Sequence, residues 1–98
     1  MTLRIVFRHA AKREFDDAAD RYDEQRPGLG EEFLIEIDQA VAKAAASPER
    51  YPIVVGDVRR TVARRFPFSV YFRVRRDSIV VLSVFHGRRN PATWQRRV

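Results

Sequence analysis

The chain has 98 residues, 33% of them charged and 45% hydrophobic, so it is expected to form one soluble domain over residues 1–98. A domain of this length buries only roughly 60 to 65% of its unfolded surface, which argues against a deep internal cofactor cavity, and the absence of cysteine excludes disulfides, thiolate metal ligands and cysteine nucleophiles together. The net charge of +6 is unevenly divided: residues 1–50 hold 8 Lys or Arg against 11 Asp or Glu, whereas residues 51–98 hold 11 against 2, and all 11 are arginine.

Taken in chain order, Leu3, Ile5 and Phe7 alternate with Arg4, Val6 and Arg8, the period-two pattern of a strand over residues 2 to 8. From His9 the period becomes helical. Ala11, Phe15, Ala18 and Tyr22 share one side, while Lys12, Arg13, Asp16, Asp17, Asp20 and Asp23 fill the other, predicting an amphipathic helix that Pro27 and Gly28 stop after about Gln25. Pro27-Gly28-Leu29-Gly30 makes a tight link, and Glu31 and Glu32 suit the positive end of a second helix. That helix buries Phe33, Ile37, Ala40, Val41 and Ala44 and ends at Ser47-Pro48, where the residue before proline avoids the helical region. So short a link folds the two helices into an antiparallel hairpin.

Beyond Pro52, β-branched and aromatic residues dominate three runs: Asp57 to Arg65, Phe68 to Arg75 and Ile79 to His86. They predict an antiparallel meander, with the Ile79-Val80-Val81-Leu82 stretch central because it is apolar on both sides. Asn90-Pro91 then opens a short basic C-terminal helix or tail carrying Trp94, read as a cap over the small core. The order β-α-α-β-β-β is an α+β plan: an N-terminal helical hairpin packed on one face of a small, mainly antiparallel sheet. The other face is expected to stay open and to collect Arg59, Arg60, Arg64, Arg65 and Arg73.

Several chemistries are excluded by residue type and spacing. His9 and His86 sit at opposite ends of the chain without metal-ligand spacing, so no metal is expected. Gly28 and Gly30 lack the lysine and hydroxyl of a phosphate loop, and no cofactor is implied. The acids of the first helix read as a solvated face. No run approaches the roughly 18 to 20 apolar residues that span a bilayer, and the N-terminus lacks the zones of a signal peptide, so a cytoplasmic protein without membrane contact is expected. What remains is an arginine-rich sheet ending in His86-Gly87-Arg88-Arg89, suited to an anionic partner because arginine's planar fork matches phosphate and carboxylate. The same residue types could cut RNA by attack of its own 2′-hydroxyl, which requires a base, an acid and cations, or could only grip an anion. A plain basic nucleic-acid-binding module is a third possibility, with steeply salt-dependent affinity.

Four segments resemble one family. They are the helix junction Arg26-Pro27-Gly28-Leu29-Gly30-Glu31-Glu32-Phe33, the strand segment Asp57-Val58-Arg59-Arg60, the run Arg65-Phe66-Pro67-Phe68-Ser69-Val70-Tyr71-Phe72, and the closing His86-Gly87-Arg88-Arg89-Asn90-Pro91-Ala92-Thr93-Trp94. With the order of elements, they resemble the RelE/ParE superfamily of small toxins from type II toxin-antitoxin (plasmid stabilisation) systems. The resemblance implies a growth-arresting toxin, neutralised by a cognate antitoxin whose extended C-terminal part lies along it; operator DNA is then met only through the antitoxin complex.

Two activities divide the superfamily. RelE-like members are similar to ribosome-dependent endoribonucleases that cut mRNA, without a metal, using cations on the sheet and commonly an arginine on the third strand. Here Phe68 stands where that arginine is expected. On this alternative the catalytic set is Arg60, Arg65, Arg73 and His86, with the arginines holding phosphate and His86 moving the proton. The continuation through Arg89, Pro91 and Trp94 looks more like the ParE branch, whose members resemble inhibitors of DNA gyrase that act by protein binding. That reading is favoured, and it assigns target contacts to Arg88, Arg89, Trp94, Arg96 and Arg97.

Overall fold

The computed structural model describes residues 2–87 and residue 95. β1 (Arg4–Phe7) leads into α1 (His9–Gln25) and α2 (Leu29–Ala46), followed by a 3₁₀ turn at Pro48–Arg50 and the strands β2 (Ile53–Val55), β3 (Val58–Val62), β4 (Phe68–Val74) and β5 (Ser78–His86). One sheet runs in the order β1-β5-β4-β3-β2, with β1 parallel to β5 and the remaining neighbours antiparallel. This is the predicted α+β plan with one strand more. Apart from Gln95, the expected C-terminal helix or tail, Trp94 included, lies outside the described residues.

The added strand has a physical reason for escaping the pattern. Ile53-Val54-Val55 is only three residues long, sits between Pro52 and Gly56, and is exposed throughout, so no alternation marks it. Gly56, at φ +55, turns the chain back into β3. β3 itself stops at Val62 rather than Arg65. The Ala63 N–H donates to the Phe68 carbonyl at 2.9 Å, and the chain then bends so that Phe66 dips into the core, leaving Arg64 and Arg65 in a loop.

The hairpin follows from its apolar stripes. α1 buries Ala11, Phe15, Ala18 and Ala19, and α2 buries Phe33, Ile37, Val41, Ala44 and Ala45. Ala40, predicted inside, is half-buried, and Ala45 takes its place. Gly28, at φ +90, occupies the left-handed region that opens α2. Gly30 lies inside α2 rather than in the link, and a Cβ there would collide with the Ala19 carbonyl and the Asp23 carboxylate. Its own N–H donates to Asp23 Oδ1 at 2.8 Å, so the helices cross at a point only glycine fits.

Between helices and sheet lies an aromatic core. Phe33 is fully buried and meets Phe15, Tyr22, Phe66 and Phe68 at centroid distances of 5.9, 5.2, 5.3 and 4.9 Å. Each such pair is worth about 0.5–1.5 kcal/mol beyond its buried area. The reverse face of the sheet carries a second, smaller cluster of Val58, Tyr71, Leu82 and Phe85, with Val80 against it. The expectation of a basic, open reverse face is therefore corrected: its centre is buried and apolar, with Val58 and Leu82 fully inaccessible.

Candidate functional site

Register decides which arginines share a surface. Arg60 pairs across from Tyr71 and Arg73 across from Val58, so both point away from the helices with the second cluster. Arg59 stands opposite Phe72, on the helix side, and its Nη1 donates to the Tyr51 carbonyl at 2.7 Å. Arg64 and Arg65 belong to the β3–β4 loop. Of the five arginines expected together, only Arg60 and Arg73 occupy the reverse face.

The four residues of the nuclease alternative are likewise divided. His86, the last residue of β5, pairs with Phe68 and lies edge-on to its ring at 5.2 Å, on the helix side. Arg65 is turned toward α2: its Nη2 donates to Glu32 Oε1 at 2.8 Å, its backbone N–H donates to Glu36 at 2.7 Å, and its guanidinium lies 5.2 Å from the Phe66 centroid. Arg73, with only 12% of its side chain exposed, donates from Nε to Asp57 Oδ1 at 2.8 Å. Arg60 is exposed. Arg88, Arg89, Trp94, Arg96 and Arg97 lie outside the described residues.

The ion pairs set the local electrostatics. The Glu32 carboxylate accepts from Arg65 and, on its other oxygen, from Arg26 at 3.2 Å, and these bonds hold it below the usual glutamate range. The hydrogen bond from Arg73, with Arg75 nearby, does the same for Asp57. Burial pushes the Tyr22 phenol up, and burial likewise raises Asp38 against the pull of Lys12.

His86 borders an open cavity of about 430 Å³, lined by Ala18, Arg21, Tyr22 and Gln25 of α1 together with Phe68. Sequence reading missed Arg21, Tyr22 and Gln25 as site residues because they lie on a helix read as core on one side and solvated acid on the other. A signal was present: positions 18, 21, 22 and 25 form one helical stripe, and Arg21 is a cation amid acids. The group at His86 can donate hydrogen bonds and receive an anion. Among the described residues, no cluster of three or more His, Asp or Glu could hold a metal, and no helix is long and apolar enough to cross a membrane.

A family model described as the ParE toxin of type II toxin-antitoxin system, parDE, matches residues 5–91. The chain belongs to this ParE toxin family. Its fold is similar to that of a chain in the solved structure titled chromosomal ParDE TA system from P. aeruginosa, with a TM-score of 0.76 and 22% identity, over 87% of this chain and 96% of that one. No curated protein matches the sequence significantly. The segments that resemble the family have a structural logic in this ParE-type chain. The helix junction and the Arg65–Phe72 run meet through the Arg26–Glu32–Arg65 bridge and through Phe33 against Phe66 and Phe68. The Asp57 segment fastens the β2–β3 turn to Arg73. These three motifs build scaffold contacts, and the fourth is described only at His86 and Gly87.

Proposed function

We propose that this ParE-family toxin arrests growth in the cytoplasm by binding DNA gyrase through its basic C-terminal segment, with Arg88, Arg89, Trp94, Arg96 and Arg97 as the contacts. A cognate antitoxin neutralises it, and operator DNA is reached only through that complex. The observation that carries the reading is the family match over residues 5–91. The arrangement of the sheet supports it over RNA cleavage. Arg60 and Arg73 lie on the opposite side of the sheet from His86, and both Arg65 and Arg73 engage a carboxylate inside the molecule. Phe68, at the position of the expected nuclease arginine, is 4% exposed under the helices.

The test is to map mRNA ends and gyrase-linked DNA breaks in one bacterial culture, minutes after inducing the chain without its antitoxin. DNA breaks covalently joined to gyrase, with mRNA unchanged, are expected. Codon-phased mRNA ends with intact DNA overturn the proposal and promote His86 and the sheet arginines. His86→Gln is expected to leave toxicity intact, and truncation after Asn90 to abolish gyrase inhibition in a chain that circular dichroism shows still folded; inhibition retained by that truncation overturns the tail contacts.

A further inference from the structure

The cavity beside His86 has a composition that the charge pattern of α1 does not foreshadow. Asp16, Asp17, Asp20, Asp23 and Glu24 crowd this part of the helix, yet none is among the described lining residues; the helix turns Ala18, Arg21, Tyr22 and Gln25 inward instead. Ala18 and Phe68, at 1% and 4% exposure, make an apolar floor, while Arg21 and Gln25 are exposed at the rim. A guanidinium, an amide, a phenol and an imidazole thus surround a hydrocarbon base, with no carboxylate among the described lining residues. Such a site selects a single anion carried on an apolar stem.

We infer that this cavity anchors an acidic side chain, a glutamate or aspartate, from the antitoxin's toxin-binding segment, with Arg21 as its charge partner and the Ala18–Phe68 floor under its methylene stem. The inference rests on the proposal that the partner is an antitoxin, and it adds where and by what chemistry that partner is held. Electrostatics favour a peptide over RNA here. The acids flanking Arg21 repel the neighbouring phosphates of a polyanion, whereas a peptide can present a single charge between neutral residues.

Isothermal titration of the purified antitoxin into the full-length toxin tests this, with Arg21→Glu and Gln25→Glu as variants at exposed positions. Each is expected to weaken Kd by about tenfold or more while leaving the thermal melt unchanged. One acidic residue of the antitoxin, changed to lysine, should restore binding to Arg21→Glu and weaken binding to the unmodified toxin. Unchanged affinity of Arg21→Glu overturns the anchor and leaves the antitoxin proposal standing, as does a loss that no charge reversal in the antitoxin restores. No binding by the unmodified toxin overturns both. Loss of binding to a single-stranded RNA oligonucleotide in Arg21→Glu, with antitoxin affinity intact, assigns the cavity to nucleic acid and overturns the peptide anchor.

Discussion

The two faces of the sheet are built differently from one alternating sequence. On the helix side, Phe68, Val70 and Phe72 of β4 join Ile79, Val81 and Val84 of β5 beneath the aromatic cluster of Phe15, Phe33 and Phe66. On the reverse side, Val58, Tyr71, Leu82 and Phe85 form a small apolar centre, with Arg60 and Arg73 on the same face. The difference teaches that a segment's arginine content does not locate its charge. Alternation along β3 sends Arg59 one way and Arg60 the other, and carboxylates in α2 and the β2–β3 turn then draw Arg65 and Arg73 into the scaffold.

The sharpest way to break this asymmetry is to remove its centre. Phe33→Ala deletes a fully buried ring that touches four other aromatic residues, and urea denaturation should show a loss of about 3–5 kcal/mol. Arg60→Ser on the reverse face should stay within about 0.5 kcal/mol of the unmodified chain, because an exposed side chain leaves neither cavity nor orphaned partner. Equal losses would mean that the reverse face carries as much of the fold as the covered one.

The elements that were legible in the sequence are those whose burial leaves a pattern. Both helices and β4 show a period, the central β5 shows instead a long apolar run buried on both faces, and the boundaries of all four match to within about two residues. β2 shows neither, because an exposed edge strand of three residues has no buried side. The facing of the arginines was hidden for another reason. Both parities of β3 carry one, so register had to come from long-range pairing with β4. The His86 cavity was half legible: His86 stood out by its chemistry, whereas Arg21 and Gln25 join it only once α1 is laid against the Phe68–His86 pair.

A second experiment sharpens the comparison at the seam between the acidic and basic halves. β1 stops pairing at Val81, and among the described residues no strand accompanies β5 beyond it on that side. Glu14 of α1 fills the place of a strand there: its Oε1 accepts from the Ser83 hydroxyl at 2.9 Å and from the Val84 N–H at 3.1 Å. Ser83 is fully buried, so losing that acceptor leaves its hydroxyl unsatisfied. Glu14→Ala should cost about 1–3 kcal/mol and speed hydrogen exchange at the Val84 amide, while Glu14→Gln, which keeps a carbonyl acceptor, should retain most of the protection. Protection of Val84 that is indifferent to both changes would remove Glu14 from this role.

The smallest effect is expected at Glu32, which joins the helix junction to the β3–β4 loop. Arg65 first, and Arg26 with it, hold the folded carboxylate below its ordinary range. A depressed folded value means that the bridge stabilises fully above the unfolded carboxylate pKa and is lost as pH falls through the folded value. Glu32 and its partners are solvent-exposed, so the contribution is modest and weakens with salt. Glu32→Gln should therefore lower the urea midpoint slightly at neutral pH and low ionic strength, and the gap should close as pH drops below about 4. A gap that persists in acid would assign the effect to packing rather than charge. Even then the loop keeps its second tether, because Glu36 accepts the Arg65 N–H and Phe66 stays locked against Tyr22 and Phe33. The bridge therefore tunes a position that the aromatic core already fixes, which is why a carboxylate here can be exposed and still draw an arginine of the basic half onto the acidic one.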